Sequence, residues 1–207
     1  MPAIGILGGT FNPPHTGHLA LARHARDELG LGEVWLMPLH TPPHKPAAPD
    51  PGPEHRLEMA RLASAGEERI GACDLEVRRG GTSYTVDTLS EIHASDPQAE
   101  LTFVVGADTA LTLPSWRSPE QVLSLARLAI ARRAGGPPSD GASILDAIGA
   151  LGGADRDVVF LEMAPVQASS TLARERLAAG ESTAGLLAPA VREYIERAGL
   201  YGVEARR

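Results

Sequence analysis

The residues best suited to chemistry lie near the amino terminus, in the segment GGTFNPPHTGH at positions 8–18. Its two leading glycines let the backbone come close to a ligand. His15 and His18 flank Gly17, and this spacing at the start of a helix brings both rings to one side. Imidazole N–H groups donate hydrogen bonds to phosphate oxygens, and they do so more strongly when a nearby phosphate favours their protonation. The segment therefore predicts a site for a phosphate-bearing ligand.

Each part of this segment also has a plainer interpretation. A Gly-Gly-Thr turn is more often structural, and a single histidine is often a surface or helix-capping residue. Two histidines could also bind a metal ion, although such sites usually need a third ligand and a pair spaced four apart on a helix. The combination of a strand, two glycines, His-x-Gly-His and a helix is what favours phosphate binding.

A second group of donors opens a predicted helix near the carboxyl terminus. It contains Ser169, Ser170, Thr171 and, one turn further on, Arg174. A serine at a helix start is usually only a cap. Here the hydroxyls and the guanidinium stand beside the unpaired N–H groups of a helix start, a combination that suits phosphate oxygens.

Short apolar strands alternate with helices along the chain and must position these residues. Strands are predicted at 3–9, 34–39, within 68–77, and at 101–106, 127–133 and 157–163. Helices are predicted at 18–30, 54–66, 83–94, 118–126, 143–151, 169–180 and 189–199. We expect Ser118 to cap its helix, with Pro119 in the first turn and Gln121 completing a capping box.

This alternation predicts an α/β fold, a doubly wound, Rossmann-like parallel sheet with helices on both faces. In such sheets ligands bind outside the carboxyl ends of the strands. We expect one domain over residues 1–207, with a small helical part from about residue 165 that carries the Ser-Ser-Thr-x-x-Arg group. Between residues 38 and 53, seven of sixteen residues are proline, which predicts a long loop of restricted conformation.

Composition narrows the class of protein. The chain has 207 residues, 43% of them hydrophobic and 22% charged, a mix typical of a soluble globular protein. Its net charge of −7 argues against a protein that coats nucleic acid through general positive charge. The single cysteine excludes an internal disulfide framework and a four-cysteine zinc site. The amino terminus lacks the pattern of a signal peptide, and no window is apolar enough for a membrane helix, so we expect a cytoplasmic protein without membrane partners.

The segment GGTFNPPHTGH resembles the opening of the bacterial nicotinate-mononucleotide adenylyltransferases, within the His-x-Gly-His nucleotidyltransferase superfamily. Further blocks resemble the family in the same order: PLHTPPHK at 38–45, SYTVDTL at 83–89, VVGADTALTLPSW at 104–116, ARR at 131–133 and SSTLARERL at 169–177. The chain departs from the family pattern at Leu39, where asparagine is usual, and at Arg117, where tyrosine is frequent.

The resemblance implies transfer of the adenylyl group of ATP to nicotinate mononucleotide, giving nicotinate adenine dinucleotide and pyrophosphate in NAD biosynthesis. The phosphate oxygen of the mononucleotide attacks the α-phosphorus directly, without a covalent enzyme intermediate. We expect Mg²⁺ to arrive with ATP and to keep its waters, so no protein metal site is expected. The expected partners are these two small molecules and not nucleic acid, and self-association into a homo-oligomer is left open.

The resemblance also implies roles for individual residues. The implied catalytic residues are His18 at the α-phosphate, His15, Lys45 and Arg174. The implied ATP-binding residues are Gly8, Gly9, Thr10, Phe11, Gly106, Asp108, Arg133, Ser170 and Thr171. The implied pyridine-binding residues are Tyr84, Thr85 and Trp116.

Some of these residues keep a structural alternative. Asp108 is also a candidate helix cap, Trp116 a candidate core residue and Lys45 an ordinary solvated lysine. Arg132, beside Arg133, is expected near the adenine or the phosphates. Arg117 carries the hypothesis that it adds positive potential near the nicotinate carboxylate.

Three other functions compete with this interpretation. The nearest is a related adenylyltransferase acting on nicotinamide mononucleotide or phosphopantetheine. A hydroxyl and free N–H groups favour the acid, because a carboxylate only accepts hydrogen bonds whereas an amide would leave its NH₂ unpaired. The other two are a nucleotide sensor without catalysis and a fragment of a tRNA-charging enzyme. The excess of acidic over basic residues disfavours the tRNA-charging fragment.

Overall fold

The computed structural model describes residues 3–43, 49–133, 139–152 and 158–205, and within these it leaves out the side chains of residues 133, 139 and 140. In this part of the chain the sheet has six strands: β1 (Ala3–Gly9), β2 (Glu33–Pro38), β3 (Ile70–Ala72), β4 (Glu100–Gly106), β5 (Arg127–Arg133) and β6 (Val158–Met163). Their order is β3-β2-β1-β4-β5-β6, and every neighbouring pair is parallel.

The centre of the sheet is apolar on both faces. β1 is AIGILGG and β4 is ELTFVVG, and their middle residues are buried, as is typical of a parallel sheet covered on both sides. β1 pairs with β2 on one side and with β4 on the other, so the direction of winding reverses between β1 and β4. A crevice at the carboxyl ends of these two strands is where such sheets bind ligands.

Helices cover both faces of the sheet. They are α1 (Thr16–Leu29), α2 (Pro53–Ser64), α3 (Leu75–Arg79), α4 (Thr85–Ser95), α5 (Ala107–Ala110), α6 (Pro119–Leu125), α7 (Ser139–Ala150), α8 (Ser170–Ala178) and α9 (Pro189–Ala198), with a 3-10 turn at Leu113–Ser115. One buried cluster joins α1, α2, α8 and α9 to the sheet, and a second joins α4, α6 and α7 to its other face. The predicted doubly wound fold is therefore confirmed.

One local prediction was wrong. Ser118 does not cap α6 with its side chain, because its backbone is left-handed (φ 48°, ψ 59°) and not in the extended conformation that capping needs. The strand predicted within 68–77 is confirmed by the short β3, and the residues after it form α3, a helix that was not predicted. Two arginines in the last turn of α3 and Gly80 after it, at φ 74°, are the local features that favour this short helix.

The proline-rich segment and the carboxyl-terminal helices agree with prediction where they are described. Residues 39–43 and 49–52 contain neither helix nor strand beyond one bridge between Thr41 and Thr82. Helices α8 and α9 share the apolar cluster of α1 and α2. The organisation of residues 1–207 as one domain stays a prediction.

Candidate active site

The loop after β1 carries the glycines and histidines singled out in the sequence. A Cβ on Gly8 would lie 3.1 Å from the Phe103 ring of β4, a close contact that favours glycine where the two strands pack. The loop ends at His15, the N-cap of α1, and His18 lies within the first turn. Phe11 is buried, and its ring meets the His18 ring edge-on with centroids 4.8 Å apart.

The two imidazole rings lie on one side of the helix start, as their spacing predicts. They stack with centroids 3.7 Å apart. The backbone N–H of His15 donates to Nδ1 of His18 at 3.1 Å. Because Nδ1 is the acceptor, the proton of the neutral His18 ring belongs on Nε2, which makes Nε2–H the donor available to a ligand.

Burial keeps both histidines neutral in the unliganded protein. It lowers the pKa of His15 to about 4, and burial together with the neighbouring His15 lowers the pKa of His18 to about 3. Nδ1 of His15 is buried without a hydrogen-bond partner among the described residues. The protonated histidines expected from the sequence therefore require a bound anion that stabilises the charge.

Helix α8 brings the second group of donors to the same loop. Ser169 caps the helix by accepting from Leu172 N–H, in agreement with the plainer interpretation of this serine. The Ser170 hydroxyl donates to Pro13 O at 2.8 Å, and Arg174 Nη1 donates to Asn12 O at 2.7 Å. Arg174 Nη2 also donates to the Thr171 hydroxyl at 3.2 Å. The hydroxyls and guanidinium of α8 therefore lie beside the loop that carries the histidine pair.

Asn12 and Tyr201 also belong to this region, and sequence reasoning gave them no role. The Asn12 side chain is buried; it donates to Pro49 O at 2.9 Å and accepts from the Tyr201 hydroxyl at 2.7 Å. Asn12 thus joins the loop after β1 to the end of the proline-rich segment and to the carboxyl terminus. Its place inside the GGTFNPPHTGH segment was the signal available.

The residues expected on the pyridine side lie at the start of α4 and after the 3-10 turn, two segments that Arg117 joins by its contacts with Tyr84 and Asp87. Tyr84 is the N-cap of α4 and Thr85 its first residue. Trp116 is half-buried, meets Phe103 edge-on with centroids 5.9 Å apart, and donates from Nε1 to the Thr112 hydroxyl. Phe103 is the ring that packs against Gly8, so Trp116 is connected to the phosphate side through one aromatic ring.

Arg117 is engaged with α4. Its guanidinium lies over the Tyr84 ring, 4.9 Å from the centroid, and Nη1 donates to Asp87 Oδ2 at 3.0 Å. The arginine is thus placed against the predicted pyridine pocket, but a carboxylate of the protein partly balances its charge.

The end of β4 presents Gly106 and Asp108 at the same edge. Asp108 is exposed in the first turn of α5, whose N-cap is Gly106. The interpretation of Asp108 as a helix cap is therefore wrong, while contact with a ribose stays a prediction.

Two predicted residues lie outside what the structure describes. Lys45 falls in residues 44–48, and the side chain of Arg133 is among those left out. Arg132 stacks on Phe160, 4.2 Å from its centroid, and pairs with Glu162 of β6. These contacts engage its guanidinium within the protein, which disfavours the expected place near the nucleotide.

Within the described ranges, no group of three or more His, Cys, Asp or Glu side chains is arranged to hold a metal ion. No helix in these described ranges has both the length and the hydropathy needed to cross a bilayer.

Comparison with known proteins gives concordant matches. A family model described as cytidylyltransferase-like matches residues 6–176. A probable nicotinate-nucleotide adenylyltransferase of Shouchella clausii is 38% identical over 202 residues, covering 98% of each chain. One from Aeromonas salmonicida is 39% identical and covers 96% of each chain.

A solved structure of similar fold is that of Plasmodium falciparum nicotinic acid mononucleotide adenylyltransferase complexed with NaAD. It superposes with a TM-score of 0.77 over 99% of each chain at 20% sequence identity. At that identity the likeness establishes the fold.

Proposed function

This chain belongs to the nicotinate-nucleotide adenylyltransferases of the cytidylyltransferase-like family, and on that premise we propose how its residues carry out the reaction. It transfers the adenylyl group of ATP to nicotinate mononucleotide. The mononucleotide phosphate oxygen forms the new bond to the α-phosphorus, and the bond to the bridging oxygen of pyrophosphate breaks. No group of the protein is covalently modified, so the protein contributes alignment and charge stabilisation.

The observation that carries this proposal is the junction between α8 and the loop after β1. Ser170 and Arg174 each donate to a carbonyl of that loop, at Pro13 and Asn12. This junction supports the proposal, because it joins the start of α8 to the same loop that leads into the stacked histidines. A triphosphate needs several donors along its length, and this arrangement supplies them from two segments.

His18 is the residue we assign to the α-phosphate. Its Nε2–H is free to donate because Nδ1 accepts from the backbone of His15. As the bond to pyrophosphate breaks, negative charge grows on the departing oxygen, and a donor positioned in advance stabilises that charge. His15, stacked on His18, adds a second donor once phosphate is bound. Lys45 keeps the phosphate role that the family resemblance implies for it.

The start of α8 is assigned to the pyrophosphate that leaves. Its free N–H groups, the Thr171 hydroxyl and the N–H groups of Arg174 that Asn12 and Thr171 leave unoccupied suit the β- and γ-phosphates. The Ser170 hydroxyl, which donates its one proton to Pro13 O, would join them by turning that proton to a phosphate. Mg²⁺ is assigned as part of the substrate Mg-ATP, held by phosphate oxygens and water.

The nicotinate ring is assigned to a pocket lined by Tyr84, Thr85 and Trp116. The free N–H groups at the start of α4 are donors, which match a carboxylate and leave the NH₂ of an amide unpaired. Arg117 lies over the Tyr84 ring and adds positive potential beside this pocket. This combination supports the acid as substrate.

A paired turnover assay tests the proposal. The purified protein is given Mg-ATP with either nicotinate mononucleotide or nicotinamide mononucleotide, and pyrophosphate release is followed together with the dinucleotide product. We expect a higher kcat/KM for the acid. Equal values or a preference for the amide would refute the acid assignment, and no pyrophosphate with either substrate would refute the transfer reaction itself.

A further inference from the structure

Arg56 is a charged side chain buried in the interior of the protein, and the proposed mechanism does not use it. It lies on α2 and is 1% exposed. Nε donates to Asp50 Oδ1 at 3.0 Å, and Nη2 donates to His40 O at 2.8 Å. Nη1 donates to Leu39 O at 2.6 Å and to Thr10 O at 3.2 Å. One guanidinium thus serves four acceptors.

These acceptors belong to different segments of the candidate site. Thr10 lies in the loop after β1 that carries the histidine pair. Leu39 and His40 follow β2, and Asp50 lies near the end of the proline-rich segment. An exposure of only 1% leaves Arg56 no surface for a ligand, so its contacts are with the backbone and side chains that shape the site.

The segment after β2 is in turn attached to the pyridine side. The His40 N–H donates to the Ser83 hydroxyl at 2.9 Å. The Ser83 N–H donates to Thr41 O at 2.9 Å. Ser83 immediately precedes Tyr84, the N-cap of α4. A short path of hydrogen bonds therefore leads from Thr10 on the phosphate side, through Arg56 and His40, to Tyr84 on the pyridine side.

We propose that Arg56 is a positioning residue that fixes the ATP-binding loop relative to the segment that holds the mononucleotide. This inference rests on the proposed function. Direct attack requires the two substrates to be aligned, and a displacement of about 1 Å can reduce the rate by about 10²-fold. Losing Arg56 should therefore affect turnover more than the binding of either nucleotide alone.

The shape of the guanidinium explains why arginine is needed. Its donors form a planar fork that can reach acceptors in several directions at once. A lysine ammonium keeps the charge but presents its three donors from a single nitrogen. Arg56→Lys therefore separates the need for charge from the need for the fork.

A role limited to folding would give a different result. In that case the variant would have fewer folded molecules, but each folded molecule would turn over normally. The measurement must therefore be kcat per folded enzyme, set beside the affinity for one nucleotide. Arg61→Met is the matched control, since Arg61 lies on the same helix, is half exposed and pairs only with Glu58 and Asp74 among the described residues.

The experiment compares wild type, Arg56→Lys, Asp50→Asn and Arg61→Met. Folded fraction is measured by circular dichroism, kcat at saturation with both substrates, and nucleotide affinity by calorimetry with α,β-methylene-ATP. For Arg56→Lys we expect kcat per folded enzyme to fall about 10- to 100-fold while the Kd of the analogue changes less than about 3-fold. Asp50→Asn should give a smaller loss of kcat in the same direction, and Arg61→Met should match wild type.

Wild-type kcat in folded Arg56→Lys would overturn the inference and leave the proposed function intact. If Arg56→Lys does not fold, the kcat of Asp50→Asn becomes the test. An unchanged kcat in that variant would also overturn the inference. An inactive wild type refutes the proposed function, which is a separate outcome from either.

Discussion

A single backbone hydrogen bond decides which nitrogen of His18 can serve a ligand. Since Nδ1 accepts from the His15 N–H, Nε2–H is the donor that we propose for the α-phosphate. Replacing His18 by alanine removes that donor. We expect kcat to fall by about 10²-fold or more with the fold intact, the scale of losing one donor aimed at a developing charge. Steady-state kinetics with saturating substrates, alongside circular dichroism, measures this.

Two further variants sharpen the His18 test. His18→Asn can keep an acceptor for the His15 N–H but has no Nε2–H, so it should be as slow as alanine. His24, on the same helix and paired with Glu28, is the control, and His24→Ala should turn over like wild type. A His18→Asn variant with near-normal kcat would remove the Nε2 donor from the mechanism.

Arg174 has both a structural contact and an assigned ligand. Nη1 holds Asn12 O, and the rest of the guanidinium stands beside Thr171 at the start of α8. Arg174→Ala should raise the KM for ATP by about 10-fold or more, because an ionic hydrogen bond is worth about 1.5–3 kcal/mol. The KM for the mononucleotide should change little.

Arg176 offers a matched control for Arg174 on the same helix. Its Nη1 donates to Ser182 O at 3.1 Å, away from the loop after β1. Arg176→Ala makes the same charge change and should leave the KM for ATP near the wild-type value. Equal effects of the two variants would mean that net charge, and not position, governs ATP binding.

At the scale of elements, the start of α1 depends on the absence of a side chain at Gly17. A Cβ there would lie 3.0 Å from Cε1 and from Nδ1 of His15. The His15 ring has little room to give way, because its other neighbour is the stacked His18 ring. We expect Gly17→Ala to lower kcat about 10-fold by displacing the histidine pair.

The stability of Gly17→Ala should change little. Alanine is favoured over glycine in a helix by about 1 kcal/mol, and the close contact with His15 offsets this gain. Gly149 on α7 is the control, since a Cβ there meets no atom within 4 Å. Gly149→Ala should leave kcat unchanged and raise the free energy of unfolding by up to about 1 kcal/mol in urea titrations. An active Gly17→Ala enzyme would mean that the stacked geometry is not needed.

An element could be predicted from sequence when interactions between residues close together in the chain determine it. The strands β1, β4 and β5 have long apolar runs, and local pattern was enough to place them within one residue. Helix α3 was missed because a five-residue helix has too few turns to show a periodic pattern. Ser118 failed as a side-chain cap because its backbone is left-handed, a conformation that its residue type did not predict.

The same distinction applies to the candidate site. The spacing of three residues predicted that His15 and His18 lie on one side of the helix start, and the structure shows in addition that their rings stack. The contact between Asn12 and Tyr201 joins residues 189 positions apart, and Arg56 meets carbonyls that its own segment does not contain. Such contacts depend on how the elements pack, so neither residue type nor local spacing could indicate them.

At the scale of the whole molecule, the histidine pair couples stability to pH. In the folded protein the pKa values of His15 and His18 are about 4 and about 3, below the ordinary value of 6.5. As the pH falls below 6.5, the unfolded chain takes up protons on these histidines that the folded chain does not. The unfolded state is then favoured increasingly, so the pair lowers the free energy of unfolding between pH 6.5 and about 3.

Glu76 acts in the opposite direction and must be separated from this effect. Burial raises the pKa of its carboxyl above 4.5, although the Thr88 hydroxyl donates to it at 2.6 Å. The folded chain therefore holds that proton to higher pH than the unfolded chain. The contribution of Glu76 to the free energy of unfolding therefore falls as the pH rises above 4.5. Acidification stabilises the folded protein through this residue.

The contribution of the histidines is isolated by comparing wild type with the double variant His15→Gln, His18→Asn, which retains Glu76. Each pH unit below 6.5 is worth at most about 1.4 kcal/mol per histidine held neutral, and partial exposure reduces this. Between pH 7 and pH 5, wild type should therefore lose about 2 kcal/mol more unfolding free energy than the double variant. Urea titrations at both pH values, without nucleotide, measure the difference. Parallel pH profiles for the two proteins would mean that the histidines are not kept neutral by the fold, and the requirement for a bound phosphate to protonate them would fall with that result.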